Sequence, residues 1–82
     1  CISKEQNVEN QIELRELKWL IARFIENLPK EKRILFLRRY WFLQSVTEMA
    51  QDYGTTPKNM SVKLLRIRKE LKEYLKKEGF EI

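Results

Sequence analysis

Apolar side chains recur at three- and four-residue intervals through nearly the whole chain, and no stretch alternates with period two. Helices are therefore the economical reading from end to end. Leu14, Leu17, Ile21, Phe24, Ile25 and Leu28 mark the inward stripe of a first helix, predicted from about residues 3–7 to 27. Ser3 to Gln6 fits a capping box at its start, with Asn7 an alternative cap. Pro29 stops that helix and pre-sets the first turn of the next. The second helix is predicted over 29–42, with Ile34, Leu37, Tyr40 and Trp41 as core positions. A short link at Leu43 and Gln44 precedes Ser45-Val-Thr-Glu48, a second capping box that opens a third helix reaching Tyr53. Gly54 suits the left-handed residue that closes it. Thr56 then caps a fourth helix, with Pro57 in its first turn, running to Glu78 before Gly79 ends it.

The third and fourth segments, residues 45–71, form the layout of a helix-turn-helix, in which the second helix enters the DNA major groove. Advancing about 100° per residue from Met60 places Leu64, Ile67, Leu71, Tyr74 and Leu75 in one buried stripe. Lys58, Val62, Leu65, Arg66 and Lys69 fall on the opposite face, with Asn59 beside them and Ser61, Lys63 and Arg68 on the flanks. Met49, Ala50 and Tyr53 of the third helix are expected to pack across the fourth, the small Ala50 allowing close approach. An ordinary helical hairpin in a small bundle is the alternative account, and the two caps together with the stripe favour the helix-turn-helix over it.

Composition sharpens the picture through its distribution. The 82 residues carry a net charge of +5, which rises from −1 over residues 1–27 to +2 over 28–54 and +4 over 55–82. From Thr55 to Lys69 five bases occur and no acid, whereas acids alternate with bases after Glu70. Net positive charge alone is as well explained by lysine-rich helices that stay soluble. An ordinary solvated helix intersperses both signs, however, and the acid-free run suits a polyanion, with affinity expected to fall steeply with salt. Asn59 has the chemistry to read an adenine edge, and Lys63 or Arg66 to reach guanine acceptors or phosphate. Val62, an aliphatic residue on that polar face, would be explained by contact with a thymine methyl, against the plainer account of a tolerated surface valine.

Other classes have little support. The chain has no histidine and a single cysteine, Cys1, so neither a base poised near neutral pH nor a nucleophile–base pair can be assembled, and no catalytic residue is assigned. No glycine-rich phosphate loop and no Cys/His cluster occurs, so no metal or cofactor is expected. No apolar run approaches the ~18 residues of a membrane span. The chain reads as one small all-α domain over residues 1–82, four helices with a C-terminal helix-turn-helix, a piece of a longer cytoplasmic protein.

Leu28-Pro-Lys-Glu-Lys-Arg, then Phe36-Leu-Arg-Arg-Tyr-Trp, then the helix-turn-helix ending Arg66-Ile-Arg-Lys-Glu-Leu together resemble region 4 of sigma-70-family RNA polymerase sigma factors, nearest the extracytoplasmic-function type. The resemblance covers about residues 8–78. It implies recognition of the minus-35 promoter element by the fourth helix and docking on the flap of the polymerase β subunit, by a monomer, with an anti-sigma factor as a further partner. Carried over position by position, the DNA-facing residues are Lys58, Asn59, Ser61, Val62, Lys63 and Arg66. Arg38 and Arg39 match a basic pair placed for backbone contact, solvent exposure alone being the other account of them. The chain departs from the family pattern at Ser61, where lysine is usual, at Leu43 and Gln44, where glycine and leucine are usual, and at Thr55, where an aliphatic residue is usual. A LuxR-type output domain with the same motif, or a helical protein-binding module that leaves Trp19, Trp41, Phe42 and Leu43 as an apolar patch, are the alternative readings. Core packing of both tryptophans is the expectation here.

Overall fold

The computed structural model describes residues 4–80, with side chains from Glu13 onward. The Ser3 cap and Cys1 lie outside the described residues. Four helices follow in order: α1 Lys4–Asn27, α2 Lys30–Tyr40, α3 Val46–Asp52 and α4 Pro57–Lys77, with no strand among the described residues. The all-α architecture predicted from periodicity is the one observed.

One core joins all four helices. Phe24 and Leu28 of α1 and its exit, Leu35 and Phe36 of α2, Met49 and Ala50 of α3, and Met60, Leu64 and Ile67 of α4 form a single buried cluster. Val46, Ile25, Leu71 and Tyr74 pack against it. Phe24 is the aromatic hinge of the packing, its ring edge-on to Phe36 at 6.4 Å and tilted against Tyr74 at 5.6 Å. Such aromatic pairs add about 0.5–1.5 kcal/mol beyond their burial.

The inward faces differ from expectation on α1 and α2. Leu14 lies about half exposed, and Leu20, outside the predicted stripe, is buried instead. On α2 the buried residues are Leu35 and Phe36, while Ile34, Tyr40 and Trp41 are exposed. Ile34-Leu-Phe-Leu37 is a run of four apolar residues and carries no helical phase of its own. Burial of Leu35 and Phe36 in the shared core sets the phase. Two exposed ion pairs agree with it: Lys32 Nζ meets Glu70 Oε1 on α4 at 2.9 Å, and Arg38 Nη2 meets Asp52 Oδ2 on α3 at 2.7 Å. Lys32, Leu35 and Arg38 recur every third residue, so the side that pairs with acids is also the side that buries Leu35.

Alpha2 also ends two residues sooner than predicted. Trp41 and Phe42 N–H groups both donate to the Leu37 carbonyl, at 2.9 Å each, and Leu43 then takes φ = 56°. That left-handed residue turns the chain out of the helix. It leaves Trp41, Phe42 and Leu43 between 71% and 77% exposed, so the tryptophans are not core residues: Trp19 is 58% exposed and Trp41 76%.

Candidate nucleic-acid interface

The helix-turn-helix is held by backbone chemistry written into its sequence. Ser45 Oγ accepts the Glu48 N–H at 3.1 Å, and Thr56 Oγ1 accepts the Asn59 N–H at 3.1 Å, each satisfying a donor that the first turn leaves unpaired. Between them the C-terminus of α3 closes in a Schellman arrangement. The Thr55 N–H donates to the Ala50 carbonyl at 2.9 Å and the Gly54 N–H to the Gln51 carbonyl at 3.2 Å. Gly54 takes φ = 65°, where a side chain would strain the backbone. Pro57 occupies the first turn of α4, where its missing N–H costs nothing.

Packing then sets which face of α4 looks outward. Met49 and Ala50 of α3 bury against Met60, Leu64 and Ile67 of α4. Lys58, Val62 and Arg66 lie on the opposite face, with Asn59 beside them and Ser61 and Lys63 on the flanks, all six exposed. These six therefore share one helix and a continuous solvent-facing surface. Tyr53, expected between the helices, is 38% exposed and lies under the Arg38 guanidinium at 5.4 Å. Lys63 and Arg66 sit at one edge of the face, where they line a shallow depression with Glu31, Lys32 and Glu70.

Arg38 and Arg39 stand apart from these six. Arg38 is paired with Asp52, which also accepts from Gln44 Nε2 at 3.0 Å. The Tyr53 side chain raises the guanidinium pKa most, burial opposes it and the Asp52 charge adds to it, so Arg38 is a permanent cation. Arg39 Nη1 donates to the Gln44 carbonyl at 3.2 Å, closing the α2–α3 turn. Each contact uses one guanidinium nitrogen, so both arginines keep further N–H donors for a phosphate while holding their present partners.

A second surface lies between α1, α2 and α4. Ile21 and Ile25 of α1, Phe36 and Leu37 of α2, Trp41 and Leu71 of α4 line an apolar groove of about 600 Å³. Its charged lining residues, Lys18 and Arg68, are both cations. The sequence offered an apolar patch including Trp41 only as an alternative to core packing, and Trp41 is in fact exposed and lines this groove. Among the described residues there is no group of three or more potential metal ligands, and no helix long and apolar enough to cross a membrane.

A family model described as Sigma-70, region 4 matches residues 18–71, from the middle of α1 to the groove-lining part of α4. No curated protein and no solved structure matches the chain.

Proposed function

The chain belongs to the sigma-70 region 4 family, DNA-binding domains of transcription initiation that work with RNA polymerase, and from that premise we propose that α4 recognises the minus-35 element of a promoter. The observation that carries this reading is the acid-free outward face of α4 from Thr55 to Lys69, presented by two side-chain caps and a left-handed glycine. Lys58, Asn59, Ser61, Val62, Lys63 and Arg66 contact DNA, with cations engaging phosphate or guanine and Asn59 an adenine edge. Arg38 and Arg39 join as backbone contacts through the guanidinium N–H groups that Asp52 and the Gln44 carbonyl do not engage.

The apolar groove between α1, α2 and α4 suits docking on the flap of the polymerase β subunit. An apolar floor with two cationic lining residues favours an amphipathic helix carrying acidic flanks. An anti-sigma factor is the kind of protein that would cover the same surface. The domain acts as a monomer in this reading, in the cytoplasm where promoter DNA is found.

Fluorescence anisotropy with a minus-35 duplex at low salt tests the DNA assignment. Arg66→Ala and Lys63→Ala weaken binding by about 1–3 kcal/mol where a base edge is deprived of its partner, and leave helicity by circular dichroism intact. Where either side chain instead neutralises a phosphate, its removal lowers the steepness of the salt dependence by about 0.9. Unchanged affinity in both variants would remove the groove-reading model.

A further inference from the structure

Two aliphatic side chains interrupt the polar surface of α4: Val62 is 39% exposed and Leu65 41%. With Met60 at the origin they fall at about 200° and 140°, straddling the centre of the outward face at about 180°. Lys58, Arg66 and Lys69 surround them, and no acid lies on this stretch. Neither residue belongs to the core cluster, and neither lines the apolar groove. Core packing and the polymerase-facing surface therefore leave both unexplained.

We propose that Val62 and Leu65 act as a pair that selects thymine by its methyl group. This rests on the DNA-binding reading given above and adds the base class that the centre of the face takes. The floor of the major groove offers donors and acceptors at every base pair, and one apolar group, the C5-methyl of thymine. A side chain that can neither donate nor accept gains there only by covering that methyl. The cations around the pair hold it against a polyanion, so the apolar contact is made in a place already brought close by phosphate attraction.

Spacing limits the arrangement. Side chains three residues apart on one helix have Cβ atoms about 5–6 Å apart, and successive base pairs rise about 3.4 Å. Val62 and Leu65 thus meet methyls on base pairs one or two steps apart. Leu65 is the residue that makes this a pair, and it extends the reading surface one turn beyond Val62 towards the C-terminus of α4.

The test uses the 82-residue chain and a randomised duplex pool, from which the tightest-bound sequence is recovered at low salt. That duplex is then resynthesised with deoxyuridine replacing each thymine singly, which deletes one methyl and keeps the pairing. The expected result is a loss of about fourfold at each of two neighbouring thymines, the ratio corresponding to roughly 0.8 kcal/mol per buried methyl, and none at the others. Val62→Ser abolishes the sensitivity at one of the two positions and Leu65→Ser at the other. Both variants replace exposed residues, and circular dichroism checks that α4 is retained. Tight, salt-sensitive binding with no deoxyuridine effect overturns the methyl reading while leaving DNA binding in place. An effect that persists in both serine variants overturns the assignment to these residues. Failure to recover any duplex sinks the DNA-binding reading itself.

Discussion

Leu43 is a strained residue that contributes no burial in return. At φ = 56° a leucine pays roughly 1–2 kcal/mol, and its side chain is 77% exposed. Glycine adopts that conformation freely but loses more backbone entropy on folding, about 0.5–1 kcal/mol. Leu43→Gly is accordingly expected to stabilise the domain by about 0.5–1 kcal/mol, raising the thermal midpoint by several degrees for a chain of this size. A calorimetric midpoint that stays put or falls would contradict the strain argument. Asp52 carries a different consequence. It competes with phosphate for Arg38, and an exposed pair of this kind is weak enough to be exchanged. Asp52→Asn is therefore expected to tighten DNA binding by up to about fivefold at low salt, and Arg38→Met added to it reverses the gain. Weaker binding by the Asp52→Asn variant would make Arg38 a brace of the α2–α3 turn alone.

Caps decide the elements on the DNA side. Thr56→Ala removes the acceptor for the Asn59 N–H and is expected to cost about 1 kcal/mol, read as a lower denaturant midpoint with an unchanged slope. Ala50, 1% exposed within the core cluster, leaves no room for a larger side chain. Ala50→Leu overpacks it at a cost of about 1–3 kcal/mol. These features were legible in the residues, because a hydroxyl three positions ahead of a free N–H and a glycine between two helices act locally. The buried stripe of α4 was legible because Met60, Leu64, Ile67 and Leu71 recur at three- and four-residue spacing, with every lysine and arginine of the stretch off that line. Alpha2 was not. Ile34 to Leu37 offered every phase, and the choice came from the core that the other three helices supply, with Glu70 and Asp52 pairing in agreement with it. The outward turn of Trp41, Phe42 and Leu43 escaped for a related reason: hydrophobicity predicted burial, and a left-handed leucine overrode it.

For the molecule as a whole, the two surfaces separate by chemistry. The outward face of α4 is basic and polar apart from Val62 and Leu65, while the groove is apolar with Lys18 and Arg68 as its charged lining residues. Trp41 lines that groove yet is 76% exposed, so its removal leaves no sealed cavity. Trp41→Ser is expected to change folding stability by no more than about 0.5 kcal/mol, as for other surface substitutions, and to weaken capture of core polymerase severalfold while duplex binding is unaffected. Equal loss in both assays would mean that the two surfaces are not independent.

Alpha4 contributes to both surfaces. The residues proposed to meet the duplex fall within 58–66, and Arg68 and Leu71, a turn or so further along, line the groove. No proline or glycine falls between Lys58 and Lys77, so nothing in that rod can swivel. On the proposed function, a protein seated in the groove would grip the far end of the same stiff lever that reads the bases. The offset between enzyme and promoter is then machined into a single helix, and slipping the DNA by one base pair has no elastic joint to absorb it.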